Sequence, residues 1–332
     1  MIGRWTGRWT GRWHRVAAAP LAAAGIVAAA LFAGSPAAAA EAARGMPAAG
    51  PVVVDDLGRT VQLAAPARRV VALTPALVEL AFAAGGGDRL VAAVAFSDSP
   101  EAARALPRIG DAVNLDLERV LALAPDLILA WEGGTQPALL ARVAALGVPV
   151  YSSRIERLDG IATTLERLAT LFGLPAPASA ATVRQRLAAL PARGGIAGGG
   201  DSAASRSPVR VFYQVWERPL MTVNGRHVVS DLIGRCGGVN VFAALPALAP
   251  QVAVEAVVAA APEVIVAPTA RPDGTPDGSL AAWQRFPALP AVRHQALIQV
   301  GADALSRPAP RMLDAAEAIC DALARVRRLP GR

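Results

Sequence analysis

A block of thirteen consecutive residues in this chain can be laid, without a gap, on a second block 137 positions further on. Glu118-Arg-Val-Leu-Ala-Leu-Ala-Pro125-Asp126-Leu-Ile-Leu-Ala130 lies on Glu255-Ala-Val-Val-Ala-Ala-Ala-Pro262-Glu263-Val-Ile-Val-Ala267, with Glu, Pro, an acid and the closing Ala in register. In each copy an acid opens a helix, where its charge meets the positive end of the helix dipole; Pro ends the helix and an acid precedes a buried strand. A helix-Pro-acid-strand match can arise by chance in any α/β chain. A match this long, with one copy in each half, favours a fold built twice.

The surrounding sequence supplies what such a unit needs. Val52 to Ala64 reads as a hairpin about Asp55-Asp56-Leu57-Gly58. Strands are then expected at Val70–Leu73, Leu90–Phe96, Leu127–Trp131 and Val148–Tyr151, alternating with helices at Pro75–Ala84, Asn114–Leu123, Gln136–Leu146 and Leu158–Phe172. Ala178 to Leu190 has helical spacing at Val183, Leu187 and Leu190, and the Gly- and Ser-rich stretch 194–207 reads as a flexible loop. The alternation restarts with a strand at Val209–Val215, helices at Val228–Arg235 and Val252–Ala260, a strand at Val264–Ala267 and a terminal helix at Pro310–Val326. The fold class is therefore α/β: two similar parallel-sheet lobes, 52–174 and 208–332, bridged by one long helix within 175–193, with a ligand cleft between them.

Composition settles the compartment. Residues 16–34 form the one run near the length of a bilayer span that carries neither a charge nor an Asn or Gln, which excludes a polytopic transporter despite 54% hydrophobic residues. Arg4, Arg8, Arg12 and Arg15 precede that run, and small residues end it at Ala38-Ala39-Ala40, the layout of a secretory signal peptide over 1–40 with a short linker, 41–51, behind it. Those four arginines face no acid, so the net charge of +7 falls to +3 over the remainder. With no basic run, nucleic acid is not an expected partner. The chain contains no Lys, which removes phosphate-loop, Schiff-base and Ser-Lys chemistry. An exported chain with only Cys236 and Cys320 favours a disulfide between them over free thiols, and with His227 and His294 they make a poor metal site.

No catalytic set stands out: there is no Gly-x-Ser-x-Gly elbow, His-Glu-x-x-His, Cys-x-x-Cys or strand-borne Gly-x-Gly-x-x-Gly. Two aromatic residues instead end strands where a cleft would open. Trp131 precedes Glu132-Gly133-Gly134, and Trp216 precedes Glu217-Arg218. An exported bilobal protein of this kind is most simply a solute receptor and not an enzyme.

Taken together, Asp55-Asp56-Leu57-Gly58-Arg59, Arg69 to Pro75 with Glu79, Leu117-Glu118-Arg119, Pro125 to Gly134, Cys236-Gly-Gly238 and Pro250-Gln251-Val252 resemble the periplasmic binding proteins of cobalamin and iron-siderophore import, the cobalamin receptors above all. The resemblance covers roughly residues 52–325. It implies a small closing motion and capture of cobalamin or a related corrinoid as transported ligand, with no resident cofactor. It also implies that a monomer delivers the ligand to a dimeric ABC importer in the inner membrane. Carried over by position, transporter docking falls on Glu118 and Glu255, and ligand contacts on Phe96, Asp111, Trp131, Trp216 and Asp303. Two aromatic positions used by cobalamin receptors are Ala249 and Ala304 here.

A haem or ferric-siderophore receptor of the same fold is the rival reading. Haem wants an axial Tyr or His, for which Tyr151, Tyr213, His227 and His294 are available, and a ferric hydroxamate wants an Arg or Tyr at the pocket floor, for which Arg218 is a candidate. His227, after Arg226 at a helix start, reads as a solvated or capping residue. An exported α/β enzyme is the reading from a different class.

Overall fold

The computed structural model describes residues 50–111, 114–133, 135–194, 207–271 and 275–330. The leader at 1–40, the linker up to residue 49 and nearly all of the Gly/Ser stretch 194–207 lie outside the described residues.

The amino-terminal half opens with a hairpin of β1 (Val52–Val54) and β2 (Thr60–Gln62), antiparallel and closed by the Asp55 carboxylate, which accepts the backbone N–H groups of Leu57 and Arg59. A four-stranded parallel sheet follows, made of β3 (Val70–Ala72), β4 (Leu90–Ala93), β5 (Leu127–Trp131) and β6 (Val150–Ser153), in the order β4-β3-β5-β6. Helices α1 (Pro75–Ala83), α2 (Leu117–Ala122), α3 (Pro137–Ala144) and α4 (Asp159–Leu171) connect and cover it. Then α5 (Ala178–Arg193) leads to the carboxy-terminal half. There β7 (Val209–Tyr213), α6 (Val228–Arg235), β8 (Gly238–Asn240), α7 (Val254–Ala259), β9 (Val264–Thr269), α8 (Pro290–Arg293), β10 (Leu297–Gly301), α9 (Ala302–Ser306) and α10 (Met312–Arg327) build a second parallel sheet. Its order is β10-β9-β7-β8. Numbered within its own half, each sheet runs second, first, third, fourth strand, so the two halves share one topology.

The sequence repeat is a structural repeat as well. Two residues past the ends of α2 and α7 the backbone turns left-handed, at Ala124 (φ 43°) and Ala261 (φ 41°), which Pro125 and Pro262 then follow. In both halves the acid after that Pro accepts a backbone N–H from an arginine at the start of the sheet's first strand: Asp126 from Arg69, just before β3, at 3.0 Å and Glu263 from Arg210, the second residue of β7, at 2.9 Å. The guanidinium of each of those arginines turns back to the carbonyls left unpaired at the helix end, Arg69 on Leu123 and Ala124, Arg210 on Ala260. One Arg thus closes strand and helix together in each half.

Several boundaries move for local reasons. The helix expected from Asn114 starts at Leu117, because Asp116 caps it by accepting the N–H of Arg119 at 2.9 Å. The strand expected to reach Phe96 stops at Ala93, short of Phe96, whose φ of 61° leaves the extended region. Two short strands, β8 and β10, carried too weak an apolar pattern to be expected; Gly237-Gly238 serves as both helix stop and strand start. A Cβ on Gly238 would come within 2.7 Å of Leu323 and 2.8 Å of Ile233, so α6 and α10 can close over β8 only with glycine there.

Helix α5 buries Ala180, Val183, Leu187 and Leu190 and packs on α4 of one half and α10 of the other. Its arginines follow the same division: Arg184 pairs with Glu166, Arg186 with Asp314 and Glu317, and Arg193 with Asp321. One buried apolar cluster continues from Leu77 and Leu165 through Leu187 to Val211 and Leu323. Cys236, directly after α6, is bonded to Cys320 in the middle of α10, with Cα atoms 4.7 Å apart.

Candidate functional site

In parallel sheets the strands deliver their following loops to one edge, and ligands bind there. Two of the cavities among these loops hold the tryptophans expected at the ligand. The first, of about 490 Å³, is built by both halves: Trp131, Glu132, Arg154, Ile155 and Glu156 follow β5 and β6, while Arg226, His227, Val228, Leu248, Ala249, Ser306 and Pro308 come from the carboxy-terminal half. The second, of about 420 Å³, lies beside the first and third strands of the carboxy-terminal sheet, where its strand order reverses. It is lined by Gln214, Trp216, Arg218, Pro268, Asp277, Ser279 and Ala302.

The expected contacts divide between these places. Trp131 is half-buried in the interlobe cavity, which Ala249 also lines. Trp216 lines the second cavity, 62% exposed, with its indole N–H donating to the Arg218 carbonyl at 3.0 Å. Phe96, Asp111 and Asp303 line neither. Phe96 is 78% exposed on the loop after β4, held in left-handed backbone that an aromatic residue adopts only under strain. Asp111 closes a tight loop by accepting the N–H of Asn114 at 2.7 Å. Asp303 is committed to ion pairs with Arg307 at 2.9 Å and Arg311 at 3.7 Å. Glu118 and Glu255 are exposed at the second positions of α2 and α7. Because these helices run back against the strands they feed, both carboxylates stand at the end of the sheets where the cleft opens.

Sequence reasoning missed the ionic seam that joins the halves. The buried Glu79 carboxylate, on α1, accepts from Arg307 at 3.1 Å and from Arg311, while Arg307 also reaches Asp98 at 3.1 Å. Burial, the largest single effect, pushes the Asp98 carboxyl up, but the hydrogen bond from Arg307, a backbone hydrogen bond and the charges of Arg307 and Arg311 together outweigh it and hold the group below the usual carboxylate range. Burial likewise works against charge on Arg307, yet Asp98, Glu79 and Asp303 leave its guanidinium more basic than in water. The Asp303, Arg307, Arg311 spacing of four residues was the available signal. A second seam joins Asp231 of α6 to Arg157 at 3.1 Å and to the Leu158 N–H at 2.9 Å, with Arg235 bridging Asp231 and Asp159.

The residues proposed for iron are poorly placed. His227 caps α6: its Nδ1 accepts the Val229 N–H at 3.2 Å, and burial depresses its pKa to about 4, so it is neutral and its free lone pair is spent. It caps as expected but is largely withdrawn from solvent. Tyr151 and Tyr213 are buried within their sheets, and burial raises both phenols. His294 follows α8 on the approach to β10, the edge of the sheet opposite the cleft. Arg218, expected at a pocket floor, has its side chain 87% exposed on the rim, paired with Glu217. Among the described residues no three His, Cys, Asp or Glu side chains are grouped to hold a metal ion, and no helix is long and apolar enough to cross a membrane.

Comparison with known proteins agrees with this architecture. Residues 70–304 match the periplasmic binding protein family. The chain is 38% identical over 261 residues to the vitamin B12-binding protein of Vibrio cholerae serotype O1, covering 77% of this chain and 88% of that one. The crystal structure of the periplasmic vitamin B12 binding protein BtuF of Vibrio cholerae superposes with a TM-score of 0.69 at 36% identity, over 80% of this chain and 99% of that one. The apo periplasmic heme-binding protein RhuT from Roseiflexus sp. RS-1 shares the fold, with a TM-score of 0.64 at 23% identity over 79% of this chain and 99% of that one. With two like-ordered parallel sheets, a helix packed against both halves and a cavity built by both, the chain belongs to the periplasmic binding protein family.

Proposed function

We propose that this protein captures cobalamin, or a related corrinoid, in the cleft between its lobes and delivers it to an ATP-driven importer in the inner membrane. The observation that carries this reading is the likeness to vitamin B12-binding proteins across both lobes. The interlobe cavity suits it, with the indole of Trp131 among apolar walls able to pack against a wide macrocycle. Cobalamin is cargo here, and the protein works as a receptor with no chemical step. Residues 1–40 act as the cleaved export signal and the mature chain as a periplasmic monomer. Glu118 and Glu255, matched in place on the two repeat copies and exposed at the starts of α2 and α7, meet the two halves of a dimeric permease.

A haem receptor of the same fold fits less well, because His227 spends its lone pair on a helix end and both tyrosines are buried. Calorimetric titration of the mature protein with cyanocobalamin, haemin and ferrichrome tests the reading. One tight site for cyanocobalamin is the expected result. Tight haemin or ferrichrome binding with no heat from cyanocobalamin would overturn it while leaving the fold unchanged.

A further inference from the structure

Most charged side chains along the joint between the lobes are spoken for. Arg157, Asp231, Arg235 and Asp159 pair with one another, as do Glu79, Asp98, Asp303, Arg307 and Arg311. The interlobe cavity breaks the pattern. Its lining holds two arginines, Arg154 and Arg226, and two glutamates, Glu132 and Glu156. Among the described residues none of the four makes an ion pair and the Arg154 side chain makes no hydrogen bond, while Arg226 donates one guanidinium N–H to the Pro246 carbonyl at 3.1 Å. Three of the four follow β5 and β6, and Arg226 comes from the other lobe.

We infer that these four side chains read the periphery of the ligand and select a carboxamide-bearing macrocycle over a carboxylate-bearing one; this rests on the corrinoid reading. A primary amide offers N–H groups to Glu132 and Glu156 and a carbonyl oxygen to Arg154 and Arg226, so one neutral group type satisfies both signs of charge. A closing cleft takes water from all four, and each must then find a partner on the ligand. Ionised carboxylates can satisfy the arginines only, and meet repulsion from the glutamates. The apolar walls, Trp131, Ile155 and Leu248 among them, leave recognition of polar groups to this mixed rim.

The test compares cyanocobalamin with dicyanocobyrinic acid, a corrinoid carrying carboxylates in place of carboxamides, by calorimetry on the mature wild type and on Glu132→Gln/Glu156→Gln. Glutamine still accepts a hydrogen bond but repels nothing. Wild type is expected to favour cyanocobalamin by at least about a hundredfold, and the double variant to lower that ratio at least about tenfold, mainly by binding the acid better. Arg154→Gln should move the ratio the other way, and Glu101→Gln, an exposed control outside the cavity, should leave it within about twofold. A wild type that binds cyanocobalamin tightly, with a ratio the double variant leaves unchanged, would overturn peripheral readout and leave the receptor reading standing. A wild type that binds neither corrinoid would overturn both.

Discussion

Breaking the bond between Cys236 and Cys320 should weaken the fold without touching the cleft. The two residues are 84 positions apart, both wholly buried, and the bond joins the end of α6 to the middle of α10. Loop closure over that separation removes unfolded-chain entropy worth about 4.6 kcal/mol in the chain-entropy treatment, an upper figure. A second tether limits the damage. The buried Arg327 of α10 donates to the carbonyl of Gly237 at 2.7 Å, to that of Cys236 at 3.3 Å and to that of Gly194. Charge-assisted bonds of this kind keep α10 seated once the covalent link is gone. The reduced protein should therefore stay folded, with its urea midpoint lowered by roughly 1 to 1.5 M for a slope near 3 kcal/mol/M. Cys236 and Gly237 lead into β8 at the edge of the sheet opposite the cleft, so cyanocobalamin affinity at low urea should change less than about threefold. Urea titrations of the mature protein with and without a phosphine reductant, and of Cys236→Ala/Cys320→Ala, measure the first effect; calorimetry measures the second. An unmoved midpoint would refute the entropic argument. Lost ligand binding in a still-folded reduced protein would refute the separation of bond from cleft.

Trp131→Ala and Trp216→Ala should each weaken cyanocobalamin by about ten- to hundredfold, the cost of truncating an aromatic that stacks on a ligand; fluorescence titration reads it, and an unchanged Trp216 variant would assign the second cavity to something other than the ligand. Glu118→Ala/Glu255→Ala should abolish stimulation of the importer in reconstituted vesicles while ligand affinity and Tm hold, because exposed rim charges act on association rather than folding; transport at the wild-type rate would return both residues to helix starts. His227 is neutral when folded and has a pKa lowered by burial to about 4, so the unfolded chain binds the extra proton as pH falls below about 6.5. Its contribution should be lost progressively between about pH 6.5 and 4, on the order of 3 kcal/mol in all, and His227→Asn, which keeps a capping side chain, should flatten that part of a stability-against-pH curve; parallel curves would count against the depressed pKa. Glu79→Ala strips Arg307 and Arg311 of their buried partner and should cost about 3 kcal/mol or more, read as a lower Tm that Glu79→Asp restores only in part.

What the sequence determined by itself is what acts over a few residues. Apolar runs of strand length, helical spacing at Val183, Leu187 and Leu190, and Pro after Ala124 and Ala261 each state a local preference, and the repetition of one such block was enough to read a duplicated α/β chain. Strands as short as β8, or broken by a polar residue as β10 is by Gln299, fell below that signal. The site was legible only where a residue's place on its strand decides its role, as for Trp131 at the end of β5. Glu79 and Arg307 stand 228 positions apart, and no spacing rule links them. Tertiary structure made that pair, sent Trp131 and Trp216 to different cavities, spent the lone pair of His227 on a helix and left Glu132, Arg154, Glu156 and Arg226 without ion-pair partners among the described residues. The physical reason is reach: backbone propensity and capping are settled within a turn or two, whereas a charge finds its partner, or is left facing a cavity, only when segments distant in sequence come together in the folded chain.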